Sequence, residues 1–402
     1  MSEGKSALFP NYARFPLTLV KGQGGKVWDD QGNEYLDFVN GIAVTNLGHC
    51  HPGVSEKLKA QIDTLWHVGN LYHIPNQEKL AKLLTRESGL DAAFFCNSGA
   101  EANEAAIKLA RRYHAKVAGQ ARPDIITFHQ SFHGRTLATL TATGQDKVKD
   151  GFHPLPEGFV YAPYNQVEGL ESLVTERTGA IMLELVQGEG GVNPATPEFV
   201  AEILRLRDQY GLLVIVDEIQ TGIGRTGKLF AFQHYGFVPD IITLAKGLGN
   251  GFPIGAMLGA EKLREAFSAG SHGSTFGGTP IATAAAIATI EIMLEEKLPE
   301  RVAELGASFR KLLETKLAGN PLVRGVRGLG LLVGVACETP VAGIIADLQN
   351  EGLLTMPAGP NVLRLLPNFY VTQEELEFAA ERIAGVLAKH AEAAAAATGS
   401  NG

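Results

Sequence analysis

Three stretches of this 402-residue chain place reactive side chains where apolar runs end. Lys246 follows the run 241–245 and precedes Gly247-Leu248-Gly249-Asn250-Gly251, so an amine stands at a strand end and the backbone after it can fold tightly. Such a lysine, unless it snorkels to solvent, must be paired, shifted in pKa or covalently bound, and the last two states are what Schiff-base chemistry needs. Asp217 ends the run 212–216, which sets a carboxylate at the mouth of a strand buried on both faces, where a charge needs a partner. Capping of the following loop, or pairing with Arg225 in the turn-rich segment 221–227, would also satisfy it. A metal ligand is disfavoured, because the chain has no G-x-x-x-x-G-K-[ST] loop to accompany one. Ser98-Gly99-Ala100 lies between the apolar stretch 92–96 and the helix-forming segment 101–113, so backbone N–H groups, a hydroxyl and a helix dipole converge on one point. That point is either a phosphate cradle or a plain N-cap made by Asn97 or Ser98.

An anion cradle, an acid partner for a pyridinium nitrogen and an imine-forming amine, in that order, are the parts that hold pyridoxal 5′-phosphate. Short buried runs at 92–96, 125–128, 180–183, 212–216 and 241–244 predict a mainly parallel sheet covered by helices, and ligands bind outside the carboxyl ends of such strands. Val54, Leu58, Ile62, Leu65 and Trp66 recur at helical spacing, which predicts a helix with that face buried. After about residue 285 a helical pattern over 290–317 and apolar segments around 329–336 and 362–366 predict a smaller α+β domain. Its last helix starts with a capping box, Thr372 and Glu375, ahead of Leu376, Ala380, Ile383 and Leu387. The alanine-rich tail from Ala391 is expected to fray. The predicted fold class is α/β in three parts: an N-terminal segment, 1–48, packing with the small domain; a large cofactor-binding domain, 49–285; and the small C-terminal domain, 286–402.

A hydrophobic share of 45% with 19% charged residues excludes a disordered chain. Thirty-five Lys and Arg against forty-three Asp and Glu leave a net charge of −8, which gives no electrostatic reason to bind nucleic acid or an anionic membrane. A small solute is the expected partner. No apolar run approaches the roughly 18–20 residues that span a bilayer, and a cytosolic location is expected. Cys50, Cys96 and Cys337 are too few and too scattered for a disulfide framework or a zinc site, and read as core thiols.

The motifs GIAV at 41–44, LGHCHP at 47–52, CNSGAEANE at 96–104, SFHGRT at 131–136 and QGEGGVN at 187–193 occur in order. They continue with DEIQTGIGRTG at 217–227, AKGLGNGFP at 245–253, GSHGSTFGG at 270–278 and AGPNVLRLL at 358–366. On these motifs the chain resembles the class III (ω-amino acid) aminotransferases of fold type I over nearly its full length. The resemblance implies a large domain with a seven-stranded, mainly parallel sheet, and pyridoxal phosphate as cofactor. Lys246 would bind it and shuttle the proton, and Asp217 would keep the ring nitrogen protonated. Ser98, Gly99 and Ala100 would hold the phosphate, joined by Thr275 of the neighbouring subunit, which makes a homodimer with shared sites. Gln220 would meet the ring hydroxyl and Phe132 the ring face, although Phe132 suits a core position equally; His133 and Ile219 complete the cofactor set.

The substrate roles follow from the same resemblance. Arg364 would clamp the α-carboxylate of glutamate, and Glu189 would neutralise Arg364 when an ω-amine donor brings no carboxylate there. Arg135 would bind the distal carboxylate, a task suited to a bidentate guanidinium, and each arginine could instead serve an ordinary ion pair. Ser274 is a further substrate contact. Ile42 stands where relatives that use free ornithine carry a tyrosine, which favours an acylated donor, N2-acetylornithine, with 2-oxoglutarate as acceptor, a step of arginine biosynthesis. Users of succinylornithine, ornithine or 4-aminobutyrate share much of this set. The chain departs from the family pattern at Asn368-Phe369-Tyr370, where another proline and a leucine usually follow Pro367, and at Thr279 and Leu185.

Overall fold

The computed structural model describes residues 6–399. The chain enters through three antiparallel strands, β1 (Leu19–Gln23), β2 (Lys26–Asp29) and β3 (Glu34–Asp37), and β3 also pairs in parallel with Leu353–Leu354. The apolar runs then build a seven-stranded sheet from β4 (Ala92–Cys96), β5 (Asp124–Phe128), β6 (Phe159–Ala162), β7 (Thr178–Leu183), β8 (Leu213–Asp217), β9 (Ile241–Leu244) and β10 (Gly255–Gly259). Their spatial order is β4-β10-β9-β8-β7-β5-β6, with β10 antiparallel to both neighbours and the remaining pairs parallel. The carboxyl ends of β4, β5, β7, β8 and β9 therefore open on one edge. All five predicted runs are strands of this sheet. β6 and β10 went unpredicted: β6 is a four-residue edge strand, and β10 starts and ends in glycine, which reads as turn. Gly255 is needed there, because a Cβ would come within 2.4 Å of the Ser98 carbonyl oxygen.

Helices α1 (Pro52–Ile62), α2 (Pro75–Ser88), α3 (Gly99–Lys116), α4 (Leu137–Ala142) and α5 (Pro197–Tyr210) flank this sheet in sequence. α3 buries Ala102, Ala105, Ala106 and Ala110, small residues that allow close approach to the strands. The expected helical face running to Trp66 stops short. α1 ends at Ile62, only Val54 of that set is fully buried, and Leu65 and Trp66 are exposed.

The expected single pattern over 290–317 divides into α6 (Pro280–Glu295) and α7 (Leu298–Lys316), which are separated by Lys297 in the left-handed region (φ +50°) ahead of Pro299. A second sheet follows from β11 (Val323–Leu329), β12 (Leu332–Cys337) and β13 (Val362–Leu365), all antiparallel, with α8 (Ala342–Asn350) and α9 (Gln373–Gly399) packed in this region. The capping box forms as expected: Thr372 N–H donates to Glu375 Oε2 (3.0 Å) and Glu375 N–H to Thr372 Oγ1 (3.2 Å). Leu376, Ala380, Ile383 and Leu387 are buried. Helix α9 continues through the tail to Gly399, and residues 400–402 lie outside the described residues. Cys96 and Cys337 are buried, whereas Cys50 is exposed on a left-handed turn (φ +51°) and is not a core thiol. Among the described residues no helix is long and apolar enough to cross a membrane.

Candidate active site

The strand ends converge on a cavity of about 430 Å³ lined by Ser98, Gly99, Ala100, Phe132, His133, Arg135, Asp217, Ile219, Gln220 and Lys246. Lys246 arrives one residue after Ala245 in a left-handed conformation (φ +46°), a strained backbone that the packed turn enforces. Gly247 beside it has no room for a side chain, since a Cβ would come within 2.2 Å of Asn46 Nδ2. Burial pushes the Lys246 amine below its usual value, and the Arg364 charge adds to that against the pull of Glu189, Asp217 and Glu184. A larger share of neutral amine is what a nucleophile requires.

Asp217 makes no pair with Arg225. Its Oδ2 accepts from Asn103 Nδ2 (2.8 Å) and meets His133 Nδ1 (2.7 Å), and its Oδ1 accepts the Ile219 N–H (3.1 Å). Asn103 is held in turn by Thr243 Oγ1, which donates to Asn103 Oδ1 (2.7 Å). Burial would lower the His133 imidazole, but the hydrogen bond and charge of Asp217, with the charge of Glu184, outweigh it and leave the ring raised. Asp217 thus keeps its carboxylate aimed at the cavity inside a fixed donor set. Asn103 was missed in the sequence, although it is a polar residue on the alanine-rich buried face of α3, which is a legible anomaly.

At the end of β4, Ser98 caps α3 by accepting the Glu101 N–H on Oγ (3.2 Å), so the expected N-cap forms at the mouth of the cavity. A Cβ at Gly99 would come within 2.8 Å of Ile219 Cδ1, so Ile219 would have to shift to admit a side chain at this first helical residue. The loop after β5 brings Phe132 and Arg135, whose guanidinium carbon lies 5.6 Å from the Phe132 ring centroid. Phe132 N–H donates to Glu184 Oε2 (3.0 Å). Glu184, the residue after β7, also lines the cavity; the strand-end logic that singled out Asp217 and Lys246 applies to it and would have found it.

Arg364 on β13 is completely buried. Its Nη1 donates to Glu189 Oε1 (2.8 Å) and to Gln220 Oε1 (3.0 Å), so these three expected residues do meet. Glu189 is lowered below its usual value, because the charge and hydrogen bond of Arg364 overcome the opposing effect of burial. Ile42, half-buried with φ +69°, does not line the cavity, whereas Val44 does. Ser274 Oγ accepts from Asn97 Nδ2 (3.1 Å), and Ser274 and Thr275 line a neighbouring cavity instead of the one at Lys246.

This donor set fits pyridoxal phosphate. A bare helix N-terminus suits the phosphate, a carboxylate fixed by two side chains and a backbone N–H suits a cationic ring nitrogen, and a buried amine suits the aldehyde. His133 Nε2 is buried without a partner, as a polar atom in a wall awaiting a polar occupant would be.

The family described as aminotransferase class-III matches residues 8–387. The chain is 55% identical over 382 residues to the acetylornithine aminotransferase of Halalkalibacterium halodurans, covering 95% of this chain and 98% of that one. Among solved structures it is similar to the N-acetylornithine aminotransferase of Stenotrophomonas maltophilia (TM-score 0.83, 36% identity, 95% and 98% of the two chains). It is also similar to an ornithine aminotransferase of Toxoplasma gondii described with pyridoxal phosphate at partial occupancy in its active site (TM-score 0.91, 34% identity, 95% and 92%). With its fold and nearly its whole length matched, the chain belongs to the class-III aminotransferases and uses pyridoxal 5′-phosphate.

Proposed function

We propose that the protein transfers the δ-amino group of N2-acetyl-L-ornithine to 2-oxoglutarate, giving N-acetyl-L-glutamate 5-semialdehyde and L-glutamate. The observation that carries this reading is the Arg364–Glu189 pair at 2.8 Å, next to Gln220 on the cavity wall. An enzyme that accepts an ω-amine in one half-reaction and an α-amino acid in the other needs a guanidinium that is masked in the first and available in the second. Arg364 and Glu189 have that form: the arginine is fully buried, and its carboxylate partner is 30% exposed and so able to move aside. Pyridoxal phosphate, when bound, supplies the aldehyde that takes up the amino group and the electron-accepting ring. Lys246 Nζ would hold the cofactor through its amine and move the proton at the reacting carbon. Asp217 keeps the ring nitrogen protonated, Ser98, Gly99 and Ala100 receive the phosphate, and Phe132 packs the ring face. Arg135 orients the distal carboxylate of either substrate. The names of the relatives support an acetylated donor.

The same proposal takes the enzyme as a homodimer in the cytoplasm, in which Thr275 reaches the partner's phosphate site. Three free thiols support a reducing compartment. It also keeps the division into 1–48, 49–285 and 286–402, supported by the pairing of β3 with Leu353–Leu354, which ties the N-terminal segment to the C-terminal part. The test compares initial rates for acetylornithine, succinylornithine, ornithine and 4-aminobutyrate at one 2-oxoglutarate concentration on cofactor-loaded protein. A clear lead for acetylornithine is expected; a lead for 4-aminobutyrate or free ornithine would overturn the substrate and leave the class.

A further inference from the structure

Arg225 is fully buried, and no carboxylate pairs with it. Neutral acceptors from three distant parts of the chain hold its guanidinium instead. Nη1 donates to the carbonyl oxygens of Leu331 (3.1 Å) and Pro367 (2.6 Å), and Nη2 donates to Asn46 Oδ1 (2.6 Å). The Phe369 ring lies against the guanidinium, 4.8 Å from its carbon to the centroid. A buried cation with no counter-charge is costly and persists where its hydrogen bonds fix something specific.

Two of these contacts lead to residues beside the Lys246 cavity. Pro367 lies three residues beyond Arg364, just past the end of β13. Asn46 Nδ2 donates to Ile223 O (3.0 Å), and the same amide fills the space over Gly247, the residue after Lys246. Phe369 N–H donates to Asn46 O (2.8 Å), which closes the loop of contacts back to Arg225. Phe369 belongs to Asn368-Phe369-Tyr370, the segment that follows Pro367. Its ring puts an aromatic face on the buried guanidinium. Cation–π attraction is stronger where water is excluded, and Phe369 is itself fully buried.

We propose that Arg225, faced by Phe369, is a positioning residue that holds the end of the Arg364 strand against the Lys246 turn and so sets how tightly Arg364 receives an α-carboxylate. The inference rests on the reading of Arg364 as that receiver. Arg135 and the phosphate cradle are held by other loops, so the effect falls on 2-oxoglutarate and glutamate and spares the amine donor.

The test is steady-state kinetics of the cofactor-loaded Phe369→Leu variant, which keeps an apolar side chain and removes the π face. KM for 2-oxoglutarate is expected to rise about three- to tenfold, with kcat within about twofold of wild type and KM for the amine donor and the visible absorption of the bound cofactor unmoved. Arg225→Lys, which keeps the charge and loses the fork, is expected to give the same split, more strongly. An unchanged KM for 2-oxoglutarate in folded Phe369→Leu overturns the proposal, as does an equal rise for both substrates. Failure of both variants to fold would overturn it too, because the cluster would then be a folding element. Arg364→Lys separates the two readings: if it leaves KM for 2-oxoglutarate unchanged, the role of Arg364 is wrong, whereas a rise there without one in Phe369→Leu removes only the positioning role.

Discussion

Two buried carboxyl groups, Glu184 and Glu218, just past the ends of β7 and β8, hold protons at a pH where ordinary glutamates do not. Burial lifts both Glu184 and Glu218 to about 7, against the hydrogen bonds they accept. Glu218 takes Thr221 Oγ1 (2.6 Å) and Phe232 N–H (2.9 Å), which offset only part of the cost of burying charge. In the unfolded chain the same carboxyl ionises near 4.5. Between those two values the folded state binds a proton that the unfolded state has released, so stability is greatest below the lower value, falls as pH rises through the window and levels off above it. Glu218→Gln is permanently uncharged, keeps a carbonyl for the Phe232 N–H and does not line the Lys246 cavity. It is expected to flatten that fall and to gain on wild type by about 3 kcal/mol at pH ~8 relative to pH ~5, read by urea unfolding. A slope identical to wild type would place the pH dependence elsewhere.

Each part of the proposed cofactor site hangs on the end of one element, and the proposed phosphate cradle on the first turn of α3. Gly99→Ala puts a methyl 2.8 Å from Ile219 Cδ1 in that turn, while its backbone lies outside the left-handed region, so the helix keeps its conformation and the cradle is distorted. Cofactor affinity is expected to fall about tenfold or more, measured by titrating cofactor-free protein. Gly385→Ala, in open space on α9, is the control: it should leave that affinity unchanged and stabilise the protein by up to about 1 kcal/mol. Equal affinity in Gly99→Ala and wild type would remove the cradle from this turn. The five strands that carry the site were legible because buried parallel strands are unbroken apolar runs, and so was the start of α9, because Thr372 and Glu375 satisfy each other locally. The antiparallel β10 was not legible, since its first glycine, Gly255, answers to the Ser98 backbone, a contact made across more than 150 residues. The Asp217 clamp was half legible. Its position showed, but its partners Asn103 and His133 are assembled only by the fold, and local spacing suggested Arg225 instead.

Across the whole molecule, the face that carries Thr275 leaves large apolar side chains exposed. Trp66 is 62% exposed, Leu71 93% and Phe276 60%, an apolar cluster of a kind monomers rarely leave to water. These residues are tied together: His67 packs on Phe276 (5.0 Å between ring centroids), Asn70 Nδ2 donates to Ser274 O and Gly277 O (3.0 Å each), and Thr279 Oγ1 donates to Trp66 O (2.9 Å). Leu65 and Trp66, expected on a buried helical face but exposed beyond the end of α1, are therefore part of the same face as Thr275. If a second copy covers this face and takes Thr275 into its own phosphate site, catalysis must be shared between chains in a way that mixing experiments detect. Lys246→Ala lacks the amine, and Thr275→Asp sets a negative charge against the partner's phosphate, so each homodimer is expected to be nearly inactive. In a heterodimer the site with the intact Lys246 receives its Thr275 from the other chain and is complete. Co-expression at equal levels gives half heterodimers with one good site of two, and activity should recover to about a quarter of wild type. Recovery would fail if Thr275 served its own subunit, because each chain would then carry its own defect.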